Sequence, residues 1–481
     1  AICTSSSNSI RATGTPICRV AITVSTAAFR LGNWQTAALV ASGELSAREL
    51  TELHLDRISR LNPQLNAFRV VLAEQALAEA DAADARRARG EGGALNGVPV
   101  AIKDDADVVG QSTAFGTAAN PGVKGADSVM VSRLRDAGAI VIGKTHVPEL
   151  MICCFTETLS YGATRNPWDP TRTPGGSSGG SGAAVAAGLC GLAQGSDGAG
   201  SIRIPAAWCG LFGIKPQRDR VPLTPYDGAW NGMSTYGPIA RAVADAALFL
   251  DATAGTGDTY AQAAAREPGP LRIALATNLP AGILARPGAD ALRAVHETAD
   301  HLRALGHSVT ETELDFGPAA GPSVLARYLS GIAQDAAKLE HPDRIERRTR
   351  GFARMGAAIP ARLVEKANAA GAPLAARIGQ IFERADVILT PGPAKPPFEI
   401  GALQGRGALW TMNAMLDRVP YYATYNATGQ PAASVPAGLD SGGLPLAVQL
   451  VGRPDDEATL LSLAAQLEQA HPWAQRRPAV S

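Results

Sequence analysis

Apolar positions along this 481-residue chain recur in two rhythms. Short, largely apolar runs stand at 98–102, 139–143, 210–214, 385–390 and 446–451, with the length of strands buried on both faces. Between them the spacing becomes helical. Ser46-Ala47-Arg48-Glu49 is a capping box, and Leu50, Leu53, Ile58 and Leu61 follow at roughly helical intervals. That helix is expected to stop near Asn62-Pro63. A second, alanine-rich and charged helix is predicted over 73–88, ended by Gly90, and both helices are expected to pack outside the core. Further helices are predicted over 128–137, 183–189 and 457–470. Continuous apolar strands alternating with helices predict an α/β fold whose sheet is covered on both faces.

Residues 255–380 are rich in alanine and helix formers, with one strand-like run at 271–275. Apolar strands flank this stretch on both sides, so it reads as an insertion in one large domain spanning 31–481. No internal repeat is present. Residues 1–30 are rich in Ser and Thr, carry Cys3 and Cys18, and lack an apolar run behind a basic start, which argues against a secretory signal. They read either as an N-terminal arm or as a non-native extension. A cytoplasmic location is the default.

Charge narrows the function. Lysine plus arginine equals aspartate plus glutamate, 44 each, which recommends neither a nucleic acid nor an acidic membrane as partner. No apolar stretch is long enough to span a bilayer. Six cysteines are too few for a disulfide scaffold, and the adjacent Cys153-Cys154 and the solitary Cys190 and Cys209 miss zinc-ligand spacing. His296, His301 and His307 lack accompanying carboxylates and are expected at the surface. No metal and no cofactor are assigned.

The chemistry is concentrated in Pro174-Gly175-Gly176-Ser177-Ser178-Gly179-Gly180-Ser181-Gly182 and Ser196-Asp197-Gly198-Ala199-Gly200-Ser201-Ile202-Arg203. If Ser201 is a nucleophile, the small residues before it let consecutive N–H groups converge on an oxyanion, and Arg203 could brace the loop through Asp197. The alternative is a tight glycine turn with a solvent-facing serine. Ser177 has glycine neighbours that would let its hydroxyl stand between Ser201 and a base. Lys103, after the apolar run 98–102, is the candidate base, because burial favours the neutral amine. An ion pair with Asp104 or Asp105 would instead keep it charged.

These segments resemble the amidase signature family of serine hydrolases. Gly97-Val98-Pro99-Val100-Ala101-Ile102-Lys103-Asp104 is similar to the family's lysine segment, and Gly162-Ala163-Thr164-Arg165-Asn166-Pro167-Trp168 leads into the glycine–serine core. Gly237-Pro238-Ile239-Ala240-Arg241 and Asn426-Ala427-Thr428-Gly429-Gln430-Pro431-Ala432-Ala433-Ser434-Val435-Pro436 resemble two further patches. The resemblance runs from about residue 35 to the C-terminus. It implies a single large domain with a central, mostly parallel mixed sheet. It also implies Ser201 as nucleophile, Ser177 as bridging serine after a non-proline cis peptide, and Lys103 as terminal base. The oxyanion hole would fall on the amides of Gly198, Ala199, Gly200 and Ser201, with Ala199 where relatives typically carry glycine or serine. Ser178 would be a structural hydroxyl.

The resemblance specifies chemistry better than substrate. Met151, Cys153, Cys154, Phe155, Tyr226, Trp230, Tyr328, Trp410 and Met415 are the candidate pocket residues, an apolar and aromatic set. For Cys153 and Cys154 ordinary core packing is the competing reading. The leading expectation is an amidase acting on small apolar or aryl amides, with esters as further substrates. A urethanase or nylon-oligomer hydrolase, the glutamine-hydrolysing subunit of an amidotransferase, and a non-catalytic binding protein are the alternatives. A monomer or homodimer is expected.

Overall fold

The computed structural model describes residues 33–255 and 259–481, so the predicted arm at 1–30 lies outside the described residues. The strands are β1 (Phe68–Val71), β2 (Pro99–Lys103), β3 (Ile140–Thr145), β4 (Glu157–Thr158), β5 (Gly162–Ala163), β6 (Leu192–Ser196), β7 (Phe212–Lys215), β8 (Tyr236–Ala240), β9 (Arg272–Leu275), β10 (Ser308–Glu311), β11 (Val387–Pro391), β12 (Ala432–Leu439) and β13 (Pro445–Val451). Eleven of them form one mixed sheet in the order β1-β3-β2-β6-β8-β7-β12-β13-β11-β9-β10, while β4 and β5 make a small separate ladder. Four of its ten neighbouring pairs are parallel, in the blocks β3-β2-β6 and β11-β9-β10. The antiparallel pairs come from β1 at one edge and from the run β6-β8-β7-β12-β13-β11 between those blocks.

Alternation along β2 shows how the sheet is covered. Val100 and Ile102 join a core with Val141, Leu192 and the helix Glu457–Ala470, whereas Ala101 joins another with Ile142, Ala193 and the helix Gly179–Ala186. Lys103, two residues beyond Ala101, therefore leaves the strand on the Gly179–Ala186 side.

Three expectations need correction. The capping box forms as predicted, with Glu49 N–H donating to Ser46 Oγ and Ser46 N–H to Glu49 Oε2, each at 3.0 Å. The helix it starts, however, runs from Ala47 through Pro63 to Leu65. Leu65 is fully buried, and Asn66 caps the end in a left-handed conformation, which carries the helix past the proline. Second, this helix and the helix Ala73–Ala88 do not lie outside the core: Leu50, Ile58, Ala76, Ala80 and Ala83 pack with Ile140 and Ala184. Third, His307 is buried, its Nδ1 accepting from Leu271 N–H at 3.1 Å and its Nε2 2.8 Å from Gln466 Oε1.

The 255–380 stretch contributes more than helices. Strands β9 and β10 extend the sheet edge, and the helices Ala320–Ala337, Arg347–Ala357 and Gly371–Gly379 build a further core with Phe155, Trp208 and Tyr422. Among the described residues no helix is long and apolar enough to cross a membrane.

Candidate active site

Lys103 ends β2, Ser196 ends β6, and both strand ends open towards the loop that enters the helix Gly179–Ala186. That loop approaches its neighbours closely. A Cβ on Gly176 would lie 2.5 Å from Cys153 O, and one on Gly180 would lie 2.3 Å from His146 N. The glycine run is therefore a packing requirement, and the helix begins at Gly179, four residues before its predicted start. The Gly176–Ser177 peptide is cis.

The residues singled out by sequence converge here. Lys103 Nζ donates to Ser177 Oγ at 2.7 Å, and its backbone N–H donates to Gln194 Oε1 at 2.8 Å. Ser178 ties its loop to the end of β6: Ser196 N–H donates to its Oγ, which donates to Ser196 O. Ser201 is 8 % exposed, and its Oγ makes no hydrogen bond to Ser177 Oγ. Of the two hydrogen bonds the resemblance implies, Lys103–Ser177 is present and Ser177–Ser201 is not.

Lys103 also meets Asp105, one of the two ion-pair partners expected for it, and Ser196, to which the sequence assigns no role. Its Nζ donates to Ser196 Oγ at 2.7 Å and lies 3.4 Å from Asp105 Oδ2, while Ser196 Oγ donates to that same carboxylate. Asp104 turns away to Arg69 and to Lys144, the latter at 3.0 Å. Burial pulls the Lys103 pKa below the ordinary lysine value, opposed by Asp105 and Asp197.

The Asp197–Arg203 brace is present and extensive. Arg203 Nε and Nη2 donate to the two Asp197 oxygens at 2.9 Å each, and Asn426 Nδ2 donates to Asp197 Oδ1 at 2.8 Å. Arg203 also donates to Asn426 Oδ1 and Gln449 Oε1, both at 2.6 Å. Burial works to raise the Asp197 carboxyl, but Arg203, Asn426 and Lys215 outweigh it and hold it below the usual carboxylate range. Gly200 N–H donates to Asp197 Oδ1 at 2.7 Å. The Gly200 amide, one of the four expected oxyanion donors, is thus already engaged inside the loop.

Two cavities meet at Ser201. One, of about 430 Å³, is the more polar of the two, with Asp105, Asn120, Ser177, Ser196, Tyr226 and Asp335 set among apolar residues such as Phe115 and Leu150. The other, of about 450 Å³, is apolar and includes Cys153, Cys154, Ile204, Tyr328, Met412 and Met415. Met151, Ser201 and Trp230 border both. Seven of the nine candidate pocket residues therefore line a cavity. Phe155 does not: it is 1 % exposed, edge-on to Phe398 and beneath Arg348. Trp410 does not either, being 59 % exposed with Arg406 over its ring. Burial pushes the Cys153 thiol up to about 12 and raises Cys154 as well, which disfavours a thiolate nucleophile. Among the described residues no group of three or more His, Cys, Asp or Glu side chains could hold a metal ion.

A profile of the Amidase family matches residues 49–461. The chain is 54 % identical over 448 residues to the Mycobacterium tuberculosis protein named "Putative amidase AmiB2", covering 92 % of this chain and 97 % of that one. It is 35 % identical to the 6-aminohexanoate-cyclic-dimer hydrolase of Paenarthrobacter ureafaciens, over 92 % of this chain and 96 % of that one. A solved 6-aminohexanoate cyclic dimer hydrolase superposes with a TM-score of 0.84 at 31 % identity, covering 94 % and 99 % of the two chains. A bacterial aryl acylamidase superposes with a TM-score of 0.81 at 26 % identity, covering 92 % and 97 %. The sheet order, the glycine–serine loop against the strand-end lysine and these likenesses lead to one conclusion: the chain belongs to the amidase signature family and is an amide-hydrolysing enzyme.

Proposed function

We propose that the enzyme hydrolyses amides carrying an apolar or aryl acyl group, through an acyl-enzyme on Ser201. The observation that carries this reading is the buried Lys103–Ser177 hydrogen bond, beside a serine that borders a polar and an apolar cavity.

Neutral Lys103 takes the Ser177 proton as Ser177 takes that of Ser201, and Ser201 Oγ bonds to the carbonyl carbon. The amides of Gly198, Ala199 and Ser201 are the donors available to the oxyanion. Collapse breaks the C–N bond, and the proton returns from Lys103 through Ser177 to the leaving nitrogen. Water then attacks the ester by the same path in reverse, releasing the acid and restoring Ser201. The missing Ser177–Ser201 contact is of the kind that tightens when substrate is bound.

The relay also orients the substrate. The leaving nitrogen must come within reach of Ser177, which lines the polar cavity and not the apolar one. The amine part therefore occupies the polar side and the acyl part the side lined by Cys154, Tyr328 and Met415. No charged side chain lines that apolar cavity among the described residues, which disfavours glutamine as acyl donor.

An acyl series of anilides, from acetyl to octanoyl and benzoyl, tests this reading with Ser201→Ala in parallel. Each buried methylene should raise kcat/KM about fourfold until the cavity is filled. A flat or falling series would overturn the acyl assignment, and activity in Ser201→Ala would overturn the nucleophile. Matched aryl esters and carbamates in the same assay determine whether amides or urethanes are preferred.

A further inference from the structure

Two serine hydroxyls lie equally close to the Lys103 amine, Ser177 Oγ and Ser196 Oγ, each at 2.7 Å. Distance alone does not decide which of them exchanges a proton with the lysine. The environment of Ser196 does. Its Oγ donates to Asp105 Oδ2, so its proton is committed to a carboxylate and its oxygen is left to accept from Lys103. Ser177 has no such acceptor among the described residues, and its proton is free to move.

We infer that Asp105, acting through Ser196, is a positioning residue that leaves Ser177 as the only route for the proton and holds Lys103 once it has become an ammonium. The inference rests on the roles given above to Ser201, Ser177 and Lys103. The ammonium has three N–H donors; its hydrogen-bond acceptors are the two serine hydroxyls and, more distantly, the Ser196 carbonyl at 3.4 Å, and the Asp105 carboxylate 3.4 Å away supplies the counter-charge. When the lysine is neutral, the Ser177 bond reverses, Ser177 becoming the donor, and the Ser196–Asp105 side stays unchanged. Only one bond of the network changes polarity in the cycle.

The other charged groups around this centre are already engaged. Asp197 is paired with Arg203, and Asp104 with Arg69 and Lys144. Asp107 accepts from Tyr226 OH at 2.6 Å and lies 3.9 Å from Lys124 Nζ. Tyr236 OH donates to the Asp105 carbonyl at 3.1 Å, fixing its backbone. Asp105 is 5 % exposed, and its second oxygen, Oδ1, is buried without a partner among the described residues. Among the described residues it is the carboxylate within 4 Å of the Lys103 amine.

The test is the pH dependence of Ser201 modification by an aryl fluorophosphonate. The Ser201 O–P bond forms, fluoride leaves without needing a proton, and the Ser201 proton passes to the relay, so the rate reports the base alone. Wild type, Asp105→Asn, Ser196→Ala and Ser196→Thr are compared, with melting temperatures to verify folding. Asp105→Asn is expected to lower the acid midpoint by about one to three pH units, because the ammonium loses its counter-charge. It should also slow the plateau at least about tenfold, because Ser196 regains a free proton and the lysine is a weaker base. Ser196→Ala should move the midpoint the same way, and Ser196→Thr should overlay wild type. A folded Asp105→Asn whose midpoint is unchanged or higher overturns the inference. Should that variant not fold, an unchanged midpoint in Ser196→Ala does so instead. Modification of Ser201→Ala at the wild-type rate would overturn the underlying site reading as well, whereas an inert Ser201→Ala with an unshifted Asp105→Asn overturns this inference alone.

Discussion

Arg203 grips Asp197 through two parallel hydrogen bonds of 2.9 Å, six residues apart on the chain and with both side chains fully buried. Between them runs the loop carrying Ser201. The pair thus sets the shape of the segment that presents Ser201, and Asn426 and Gln449 fasten it from the C-terminal part of the chain.

Asp197→Asn removes the charge that compensates the buried guanidinium. The expected cost is about 3–5 kcal/mol of stability, read from urea unfolding, with activity lost in the fraction that stays folded. The same pair gives stability a pH dependence. The Asp197 carboxyl titrates lower in the folded state than when unfolded, where the ordinary value is about 3.9. Its contribution is complete above that value and is lost as pH falls through the folded one. Wild type should therefore lose stability towards acid more steeply than Asp197→Asn. Parallel slopes would contradict this.

Gly200→Ala should disable the loop without touching the relay. Gly200 has φ +119°, and an added Cβ would lie 2.7 Å from Tyr422 Cβ and 2.8 Å from Ile204 Cδ1. The backbone strain alone costs about 1–3 kcal/mol, and a displaced oxyanion donor about 3 kcal/mol in the barrier. The expected result is a folded protein with kcat reduced on the order of 100-fold. Wild-type kcat in this variant would show that the loop tolerates a different path.

Filling the apolar cavity should separate acyl chain lengths. Ala423 lines it at the start of the helix Ala423–Thr428. Ala423→Phe is expected to lower kcat/KM for octanoyl anilides at least about tenfold while leaving acetyl anilides within about twofold. An equal loss for both would place the acyl chain elsewhere.

The cysteines lend themselves to a chemical check. With Cys153 raised to about 12 by burial and Cys154 raised also, neither is a thiolate at pH 8. Iodoacetamide at pH 8 should leave activity intact over an hour, and the double variant Cys153→Ser, Cys154→Ser should retain Ser201 modification by fluorophosphonate. Rapid inactivation by iodoacetamide would mean that the thiols are more exposed and more acidic than their burial implies.

Much of the site was legible because its signals are local. Glycine spacing marks the loops around Ser177 and Ser201, and an apolar run ending in Lys103 marks a buried strand with a basic terminus. Partners distant in sequence were not legible: Arg203 meets Asn426 and Gln449 more than 200 residues away. In sequence Asp105 reads only as an ion-pair partner, since nothing there places Ser196 between it and Lys103. Strands such as Leu192–Ser196 and Tyr236–Ala240 are not legible in the sequence because glycine, glutamine and proline interrupt their apolar pattern. The chemical type of Trp410 alone suggests a pocket residue. Met412, Met415, Leu416 and Val419 recur at helical spacing and all line the apolar cavity, and that periodicity excludes Trp410 from their face.

The seam at Ser201 joins two stretches of chain with different tasks. The groups that would move protons all lie between Lys103 and Arg203, whereas most of the apolar wall comes from 280–283, 320–328 and 412–424. Drift in the later stretches can exchange one acyl preference for another while the proton path is inherited unaltered. Grafting those three segments between relatives is accordingly a direct way to transplant selectivity without rebuilding a catalyst.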